Sequence, residues 1–530
     1  MSIIVNNLSY TLPDGRELFS GLNLSLHDGV KASVVGDNGS GKSTLLAILA
    51  GRLKASGGEV SVNGSLYFVP QHFGQFDGMT VAEALGIDGK LAAIERIIAG
   101  DMSEDNYNML GDDWGIEERS LAALAKWDAS HIGLGRDMAG MSGGEKTKVF
   151  LAGIEIHEPV NILMDEPTNH LDTSARNKLY AFIARSGATM IIVSHDRTLL
   201  NTLDTTYELT AKGVERFGGN YDFYREQTDI RRDALERRIE ESDKAIRAAS
   251  RKARHVIEQK ERSDSRAPAK QHKERTLPGL INKMRGKSEE SMARLRQAHD
   301  EKISTLKDER SELKGSLVRQ ADIRIALDDS LLHTGKILFE AEEINFAYRK
   351  DEYLWKEPLS FIIRSGDRIA ISGPNGSGKS TLLQIILGSL EPHKGTVKRV
   401  PASHIYVDQE YSLVDNGLTV LEQLVRYNKR NLPDHILKTE LHRFLFPAET
   451  WDKPCGVLSG GEKMKLILCC LLISNDNPDM FILDEPTNNL DIRSMDIITA
   501  ALSDYKGTVL VISHDRYFLN DIGITEEICL

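Results

Sequence analysis

The sequence predicts an α/β protein: two phosphate-loop nucleotide-binding domains joined by a long α-helical hairpin. Three observations carry that expectation. A glycine-rich loop between a short apolar strand and a helix occurs at Gly36 to Ser43 and again at Gly373 to Ser380. The motifs that follow the first loop return in the same order after the second. Between the copies lies a charged stretch with no aromatic residue from Arg225 to Leu338. The expected boundaries are residues 1–222, 223–333 and 334–530.

At 530 residues the chain is long enough for several domains, each with its own core. Its 41% hydrophobic and 27% charged residues are ordinary for a globular protein. The net charge of −12 does not mark the whole molecule as a polyanion binder. The average conceals a local departure. Lys244 to Lys287 holds 14 Lys/Arg against 4 Asp/Glu, a surplus of ten positive charges that leaves the remainder at −22. No run approaches the roughly 18 to 20 apolar residues that span a bilayer. The densest, Leu466 to Ile473, reads as a buried helix. The first residues lack a basic start and a cleavage pattern, so nothing directs secretion. Cys455, Cys469, Cys470 and Cys529 show neither metal spacing nor a disulfide framework, which fits a reduced cytoplasmic compartment.

In the first half, Ile3 to Tyr10 and Leu18 to Leu26 read as strands about the turn Pro13-Asp14-Gly15. Lys31 to Val35 is a short apolar strand feeding Gly36-Asp37-Asn38-Gly39-Ser40-Gly41-Lys42-Ser43, with a helix from Leu45 to Ala50. Glycines let backbone N–H groups turn inward around phosphate oxygens, and the helix N-terminus adds positive potential. Lys42 can reach the β- and γ-phosphates, and the Ser43 hydroxyl can ligate Mg²⁺. Gln71 follows the strand Ser65 to Val69, at a place suited to the γ-phosphate and metal. Alone, a glutamine there is more simply a solvated strand end. Ser142-Gly143-Gly144-Glu145 opens a helix and offers a second anion site. Asn161 to Met164 is an apolar strand ending in Asp165 and Glu166, which suits metal positioning by the first and water activation by the second. Met190 to Val193 leads into Ser194-His195-Asp196, where only its place in the series lifts His195 above a structural histidine.

The second half repeats the series. Lys379 and Ser380 take the places of Lys42 and Ser43, and Gln409, Ser459-Gly460-Gly461-Glu462, Asp484-Glu485 and His514 follow. The lysines stand 337 residues apart and the glutamines 338, but the serines of the Ser-Gly-Gly motifs only 317 and the histidines 319. The first copy therefore carries an insertion of about 20 residues between Gln71 and Ser142. Asp88 to Asp128 is the expected place, and helix the expected form.

In this order the motifs resemble the ATP-binding-cassette (ABC) ATPases over nearly all of both halves. Two intact copies, no membrane segment and a charged linker are most similar to the F subfamily, soluble twin-cassette proteins that act on the translating ribosome. The resemblance implies ABC-type cassettes paired head to tail, with two ATP and their Mg²⁺ between them. One ATP would be held by Gly36, Asn38, Gly39, Gly41, Lys42, Ser43 and Thr44, facing Ser459, Gly460, Gly461 and Glu462. The other would be held by Gly373, Asn375, Gly376, Gly378, Lys379, Ser380 and Thr381, facing Ser142, Gly143, Gly144 and Glu145. Ser43, Gln71 and Asp165, and in the second site Ser380, Gln409 and Asp484, would hold the metal. Glu166 and Glu485 would activate water, with His195 and His514 at the γ-phosphate. Two departures stand out. Tyr348 suits the family's adenine-stacking aromatic in the second cassette, but Leu12 occupies the matching place in the first, and Tyr10 stands two residues early. The loop after the carboxylates reads Asn169-His170-Leu171-Asp172 in one copy and Asn488-Asn489-Leu490-Asp491 in the other.

In the middle, Thr228 to Arg262 carries Leu235, Ile239, Ile246, Ala249, Ala253 and Val256 at steps of three, four or seven, the stripe of an amphipathic helix. Glu289 to Leu327 does the same, so the pair reads as a coiled-coil-like hairpin. The tip from Ser263 to Lys287 contains Pro268, Pro278, Gly279 and Gly286, and a continuous helix is not expected there. Arg266, Lys270, Lys273, Arg275, Lys283, Arg285 and Lys287 make it basic. A solvated charged spacer is the plainer reading; RNA contact through counterion release is the other. The resemblance favours the second, because the F-subfamily linker contacts P-site transfer RNA and nearby ribosomal RNA. It implies a monomer with an internal cassette pair, and leaves open a translation factor or antibiotic protection. Two rivals stand: the ATP-binding subunit of a membrane transporter, and a coiled-coil DNA-repair ATPase. The first leaves the basic hairpin unexplained, and in the second the coil normally interrupts one cassette.

Overall fold

The computed structural model of the chain describes residues 2–210, 213–271, 294, 297–298, 300–314, 332–349, 352–474, 478–487 and 490–530. The chain divides into two compact units: Met1–Asp222 with Ile323–Leu530, and Phe223–Asp322.

The first cassette begins with β1 (Ile3–Thr11), β2 (Glu17–Leu26), β3 (Lys31–Val35) and α1 (Lys42–Leu49), then β4 (Gly57–Val62) and β5 (Leu66–Val69). Four helices come next, α2 (Val81–Leu85), α3 (Asp88–Ile98), α4 (Glu104–Leu110) and α5 (Ile116–Lys126). The cassette closes with α6 (Gly143–His157), β6 (Asn161–Asp165), α7 (Thr173–Arg185), β7 (Thr189–Val193), α8 (Arg197–Leu200), β8 (Thr205–Thr210) and β9 (Gly213–Phe217). Its central sheet runs β5-β6-β7-β3-β8-β9, parallel except for the β8–β9 pair. A second, antiparallel sheet runs β2-β1-β4. Every residue of β6 and β7 is buried, as expected of parallel strands covered on both faces.

The linker follows as α9 (Tyr221–Gln271) and α10 (residues 300–314). The second cassette comprises β10 (Ile337–Asn345), β11 (Ala347–Arg349), β12 (Glu352–Tyr353), β13 (Leu359–Arg364), β14 (Arg368–Ser372) and α11 (Lys379–Leu387). It continues with β15 (Lys394–Arg399), β16 (His404–Val407), α12 (Val420–Tyr427), α13 (Asp434–Arg443) and α14 (Gly460–Ser474). It ends with β17 (Met480–Asp484), α15 (Ile492–Asp504), β18 (Thr508–Ile512), α16 (Arg516–Asp521) and β19 (Glu526–Cys529). Its parallel sheet runs β16-β17-β18-β14-β19 and its main antiparallel sheet β13-β10-β15. Leu466 to Ile473 lies inside α14 and is mostly buried, as its apolar run indicates.

Between β5 and α6 the first cassette holds α2 to α5, whereas among the described residues α12 and α13 occupy the equivalent place in the second. The insertion is helical, with a small core of Ala93, Ile97 and Leu110. In the linker, Ile239 and Ala253 of the apolar stripe are buried, and Arg310 of α10 pairs with Asp243 of α9 (Nε–Oδ1 2.7 Å).

α9 runs through Pro268 to Gln271, so the expected tip begins helical, and the rest of it, with Pro278, Gly279 and Gly286, lies outside the described residues. Lys273, Arg275, Lys283, Arg285 and Lys287 lie outside the described residues, as do the side chains of Arg266 and Lys270.

Candidate nucleotide sites

A parallel sheet of this kind gathers loops at the carboxyl ends of its strands, where ligands bind in open α/β folds. In the first cassette the loops after β3, β5, β6 and β7 carry the phosphate loop, Gln71, Asp165 with Glu166, and His195. They meet in a cavity of about 340 Å³ lined by Asn38, Gly39, Gly41, Lys42, Ser43, Thr44, Gln71, Asp165, Glu166 and His195.

The phosphate loop is fixed by its own lysine. Lys42 Nζ donates to the carbonyls of Gly36 (2.8 Å) and Asp37 (3.0 Å); Lys379 does the same to Gly373 (2.8 Å) and Pro374 (3.1 Å). Burial lowers the affinity of both ammonium groups for their protons, against the pull of the carboxylates around them. Gly41 and Gly378 precede α1 and α11 in left-handed backbone, φ 96° and 91°, where a side chain is strained. A Cβ on Gly41 would also strike Leu18 (2.7 Å), and one on Gly378 would strike Leu354.

Each metal candidate pairs a hydroxyl with a carboxylate. Ser380 Oγ donates to Asp484 Oδ2 (3.1 Å), and the Ser43 hydroxyl bonds Asp165. Burial raises the proton affinity of both aspartates. In both, Oδ1 is buried without a hydrogen-bond partner. An orphaned carboxylate oxygen beside a hydroxyl and, in the first cavity, the Gln71 amide fits Mg²⁺, which takes one or two protein oxygens plus phosphate and water. Gln409 is exposed, two residues beyond β16.

Glu166 follows β6 at φ 51° and Glu485 follows β17 at φ 50°. Their N–H groups donate across to the neighbouring strand, Glu166 to the Val193 carbonyl (2.8 Å) and Glu485 to Ile512 (2.9 Å). Burial, then the charge of Asp165, pushes the Glu166 carboxyl up to about 8. His195 Nε2 stands 3.3 Å from Glu166 Oε1, and His514 Nε2 3.7 Å from Glu485 Oε1. Burial drives the two imidazoles down to about 3 and about 4, so both are neutral near pH 7 and neither approach is an ion pair.

The Ser-Gly-Gly loops are fixed as helix N-caps. Ser142 and Glu145 form a capping box on α6, and Ser459 and Glu462 exchange the same bonds on α14 (Ser459 N to Glu462 Oε2 2.8 Å; Glu462 N to Ser459 Oγ 3.3 Å). Both loops face the opposite cassette. A cavity of about 500 Å³ is lined by Asp37, Asn38 and Gly39 on one side and Ser459, Glu462, Lys465, Asp491 and Arg493 on the other. At the second site Asn375 Nδ2 donates to the His170 carbonyl (3.1 Å), close to Gly144, and Thr173 Oγ1 lies 3.0 Å from His514 Nδ1.

Tyr348 is exposed, and its hydroxyl bonds Thr381 Oγ1 (2.7 Å) beside the second phosphate loop. Tyr10 instead packs towards Phe19 (6.4 Å between ring centroids), and Leu12, Arg16 and Leu18 line the first cavity. Sequence reasoning missed Arg16, Asp37, Lys465, Arg493 and Thr173 as site neighbours. Only Asp37, a charged residue inside a phosphate loop, gave any signal.

The model of the ABC transporter family matches residues 19–169 and 357–488. The chain is 31% identical to "Ribosome protection protein VmlR" of Bacillus subtilis over 98% of its own length and 84% of that protein. It is 29% identical to "ABC transporter F family member 5" of Arabidopsis thaliana over 93% of its length and 70% of that protein. This chain belongs to the ABC family, in its F subfamily. ABC cassettes are ATP-binding domains of an ATPase family, normally working with Mg²⁺. Among solved structures, an archaeal ribosome recycling factor, aABCE1, in complex with the ribosomal stalk protein aP1, matches at a TM-score of 0.59 and 20% identity, covering 99% of this chain and 87% of that one. At that identity the likeness concerns the fold. No helix among the described residues is long and apolar enough to cross a membrane.

Proposed function

We propose that this ABC-F protein is a cytoplasmic, monomeric ATPase that binds the ribosome with its cassettes closed on ATP and leaves after hydrolysis. The observation that carries the reading is the composite cavity in which the first phosphate loop faces Ser459, Glu462 and Asp491 of the second cassette. Neither cassette completes that site alone. ATP bridging the two halves stabilises the closed state over the open one, and so selects whichever linker direction the closed state presents.

Within each site the division of labour follows from the chemistry of the side chains. Lys42 and Lys379 neutralise phosphate charge as the γ-phosphoryl is transferred. Ser43, Gln71 and Asp165, and in the second site Ser380, Gln409 and Asp484, would hold Mg²⁺, whose charge would offset that of the phosphate oxygens. Glu166 and Glu485 orient the attacking water and take its proton. His195 and His514, neutral, donate to the γ-phosphate. Ser142 and Ser459 close over the phosphates from the opposite cassette, adding the N-terminal ends of α6 and α14.

The basic stretch Lys244 to Lys287 is where the work is applied, against RNA phosphate on the ribosome near the P-site transfer RNA. The name and full-length coverage of the ribosome-protection relative support this reading over a transporter subunit, because the match spans the linker as well as the cassettes. Glu166→Gln with Glu485→Gln should slow turnover by about 100-fold or more and hold the protein on ribosomes in ATP. A double variant that stays in the supernatant when ribosomes are sedimented with ATP sinks the proposal. Antibiotic protection is a separate matter. It predicts that expression raises the inhibitory concentration of drugs acting near the peptidyl-transferase centre, and that deleting residues 263–287 abolishes the rise.

A further inference from the structure

The two sites differ in what each histidine meets across the cassette boundary. His514 follows β18 at the second site, and its side chain is 5% exposed. Its Nδ1 lies 3.0 Å from the hydroxyl of Thr173, the first residue of α7 in the opposite cassette. Thr173 is placed by its neighbour. Asp172 caps α7, its Oδ1 accepting from the Ala175 N–H (2.9 Å). Asp491 caps α15 in the same way, accepting from the Ser494 N–H (2.7 Å), and the residue after it is Ile492. An isoleucine side chain has no group to hydrogen-bond. At the first site, His195 Nδ1 is buried with no hydrogen-bond partner among the described residues.

A neutral imidazole has one ring nitrogen that donates and one that accepts, and the bond at one nitrogen decides the role of the other. At His514 both neighbours point to the same assignment. The Glu485 carboxylate, 3.7 Å from Nε2, can only accept when ionised, which favours a proton on Nε2. The Thr173 hydroxyl then donates to Nδ1. Among the described residues Nε2 has no hydrogen-bond partner of its own, so its proton can meet a phosphate oxygen. We infer that Thr173 is a positioning residue of the second site: supplied by the first cassette, its hydroxyl holds His514 in the tautomer that donates from Nε2, and the first site works without such a bond. Donor and ring belong to different cassettes, so the bond exists only while the cassettes are together. The inference rests on the role proposed above for His514 at the γ-phosphate.

The test uses two site-isolated variants: Lys42→Ala, which retains the second site, and Lys379→Ala, which retains the first. In Lys42→Ala protein, Thr173→Val should lower kcat for ATP by about fivefold to tenfold, the loss expected of one hydrogen bond, with KM within about twofold. Thr173→Ser should restore kcat. Histidine-selective nitrogen NMR reads the tautomer directly and needs neither nucleotide nor turnover. In otherwise unmodified protein, His514, identified by its loss in His514→Gln, should leave the Nε2–H form when Thr173 becomes valine. The mirror change Ile492→Thr, made in Lys379→Ala protein, should draw His195 towards that form. A Thr173→Val protein that keeps its kcat, or changes only in KM, overturns the inference. So does a serine variant as slow as the valine one, or a histidine spectrum that either substitution leaves unmoved. If folded Lys42→Ala protein binds no ATP, the nucleotide-site reading fails, and the tautomer spectra still decide the role of Thr173.

Discussion

Arg493 of the second cassette reaches into the first ATP site and pairs with Asp37 of the phosphate loop, Nε to Oδ1 3.0 Å. The equivalent positions of the second site hold Ser174 and Pro374, so that closure carries no such pair. Both side chains are substantially exposed, 40% and 54%, which limits the pair to about 1 kcal/mol or less. Arg493→Ala should therefore speed nucleotide release from the first site by up to about fivefold and leave the second unchanged. Stopped-flow release from the site-isolated variants measures this. The difference should shrink at high salt, where exposed pairs are screened; a salt-independent effect would assign Arg493 another role.

Arg197 makes a second bridge between the cassettes, to Asp496 (Nη2–Oδ1 2.5 Å) and Asp521 (Nη1–Oδ2 3.1 Å). The arginine side chain is nearly buried, while its two partners are about 40% exposed. Removing the cation takes the shared partner of the first cassette away from two carboxylates of the second. Arg197→Ala should destabilise the chain by about 1 to 3 kcal/mol, read by denaturant unfolding. Asp496→Asn in the same background should recover part of the loss, giving a coupling energy in a double-mutant cycle.

Gly144 has no space for a side chain. A Cβ there would lie 2.7 Å from the His170 carbonyl, the group that also accepts from Asn375 of the opposite cassette. Gly144→Ala should push that peptide away and open the second site, lowering its ATP turnover by about tenfold or more, an effect typical of small displacements in a catalytic site. The first site, measured in Lys379→Ala protein, should be spared.

The capping box on α6 gives a pH signature. Burial raises the Glu145 carboxyl, but bonds from the Ser142 N–H, His131 and the Ser142 hydroxyl, with the charge of Arg136, outweigh it and bring it down to about 2. A depressed carboxylate stabilises the fold above its unfolded pKa of about 4.3 and loses that contribution as pH falls towards 2. Glu145→Gln should cost about 1 kcal/mol at pH 7. The gap from the unmodified chain, followed by chemical denaturation from pH 7 downwards, should narrow below about pH 5. A gap that widens on acidification contradicts the assignment.

The parts legible in the sequence are those that chemistry ties to a local order of residues. A loop must follow a strand and precede a helix to cradle phosphate, so Lys42 and Lys379 could be placed from their neighbours alone. Adjacent carboxylates at the end of an apolar strand announced Asp165 and Glu166. The count between Gln71 and Ser142 revealed α3 to α5. What was illegible depends on the other cassette. Arg493, Asp37 and Arg197 meet partners about 300 residues or more away, and no local pattern encodes such a pairing; even the facing of Ser459 and Lys42 came from family resemblance rather than spacing. Register already set Tyr10 two residues apart from the place of Tyr348, and packing adds that its ring turns towards Phe19.

Glu166 and Glu485 both leave their strands in left-handed backbone, a conformation costing roughly 1 to 2 kcal/mol for a residue with a side chain. Each is pinned there by an N–H bond to the next strand. Main chain therefore fixes the direction in which each side chain leaves the backbone, and side-chain length limits how far its carboxyl reaches. Aspartate at either position would keep the bearing and stop about 1.5 Å short, the length of one carbon–carbon bond. Glutamine would keep both bearing and extension and remove the ability to take a proton. The pair of substitutions forms a ruler laid along a fixed line, separating distance from basicity at each of the two centres.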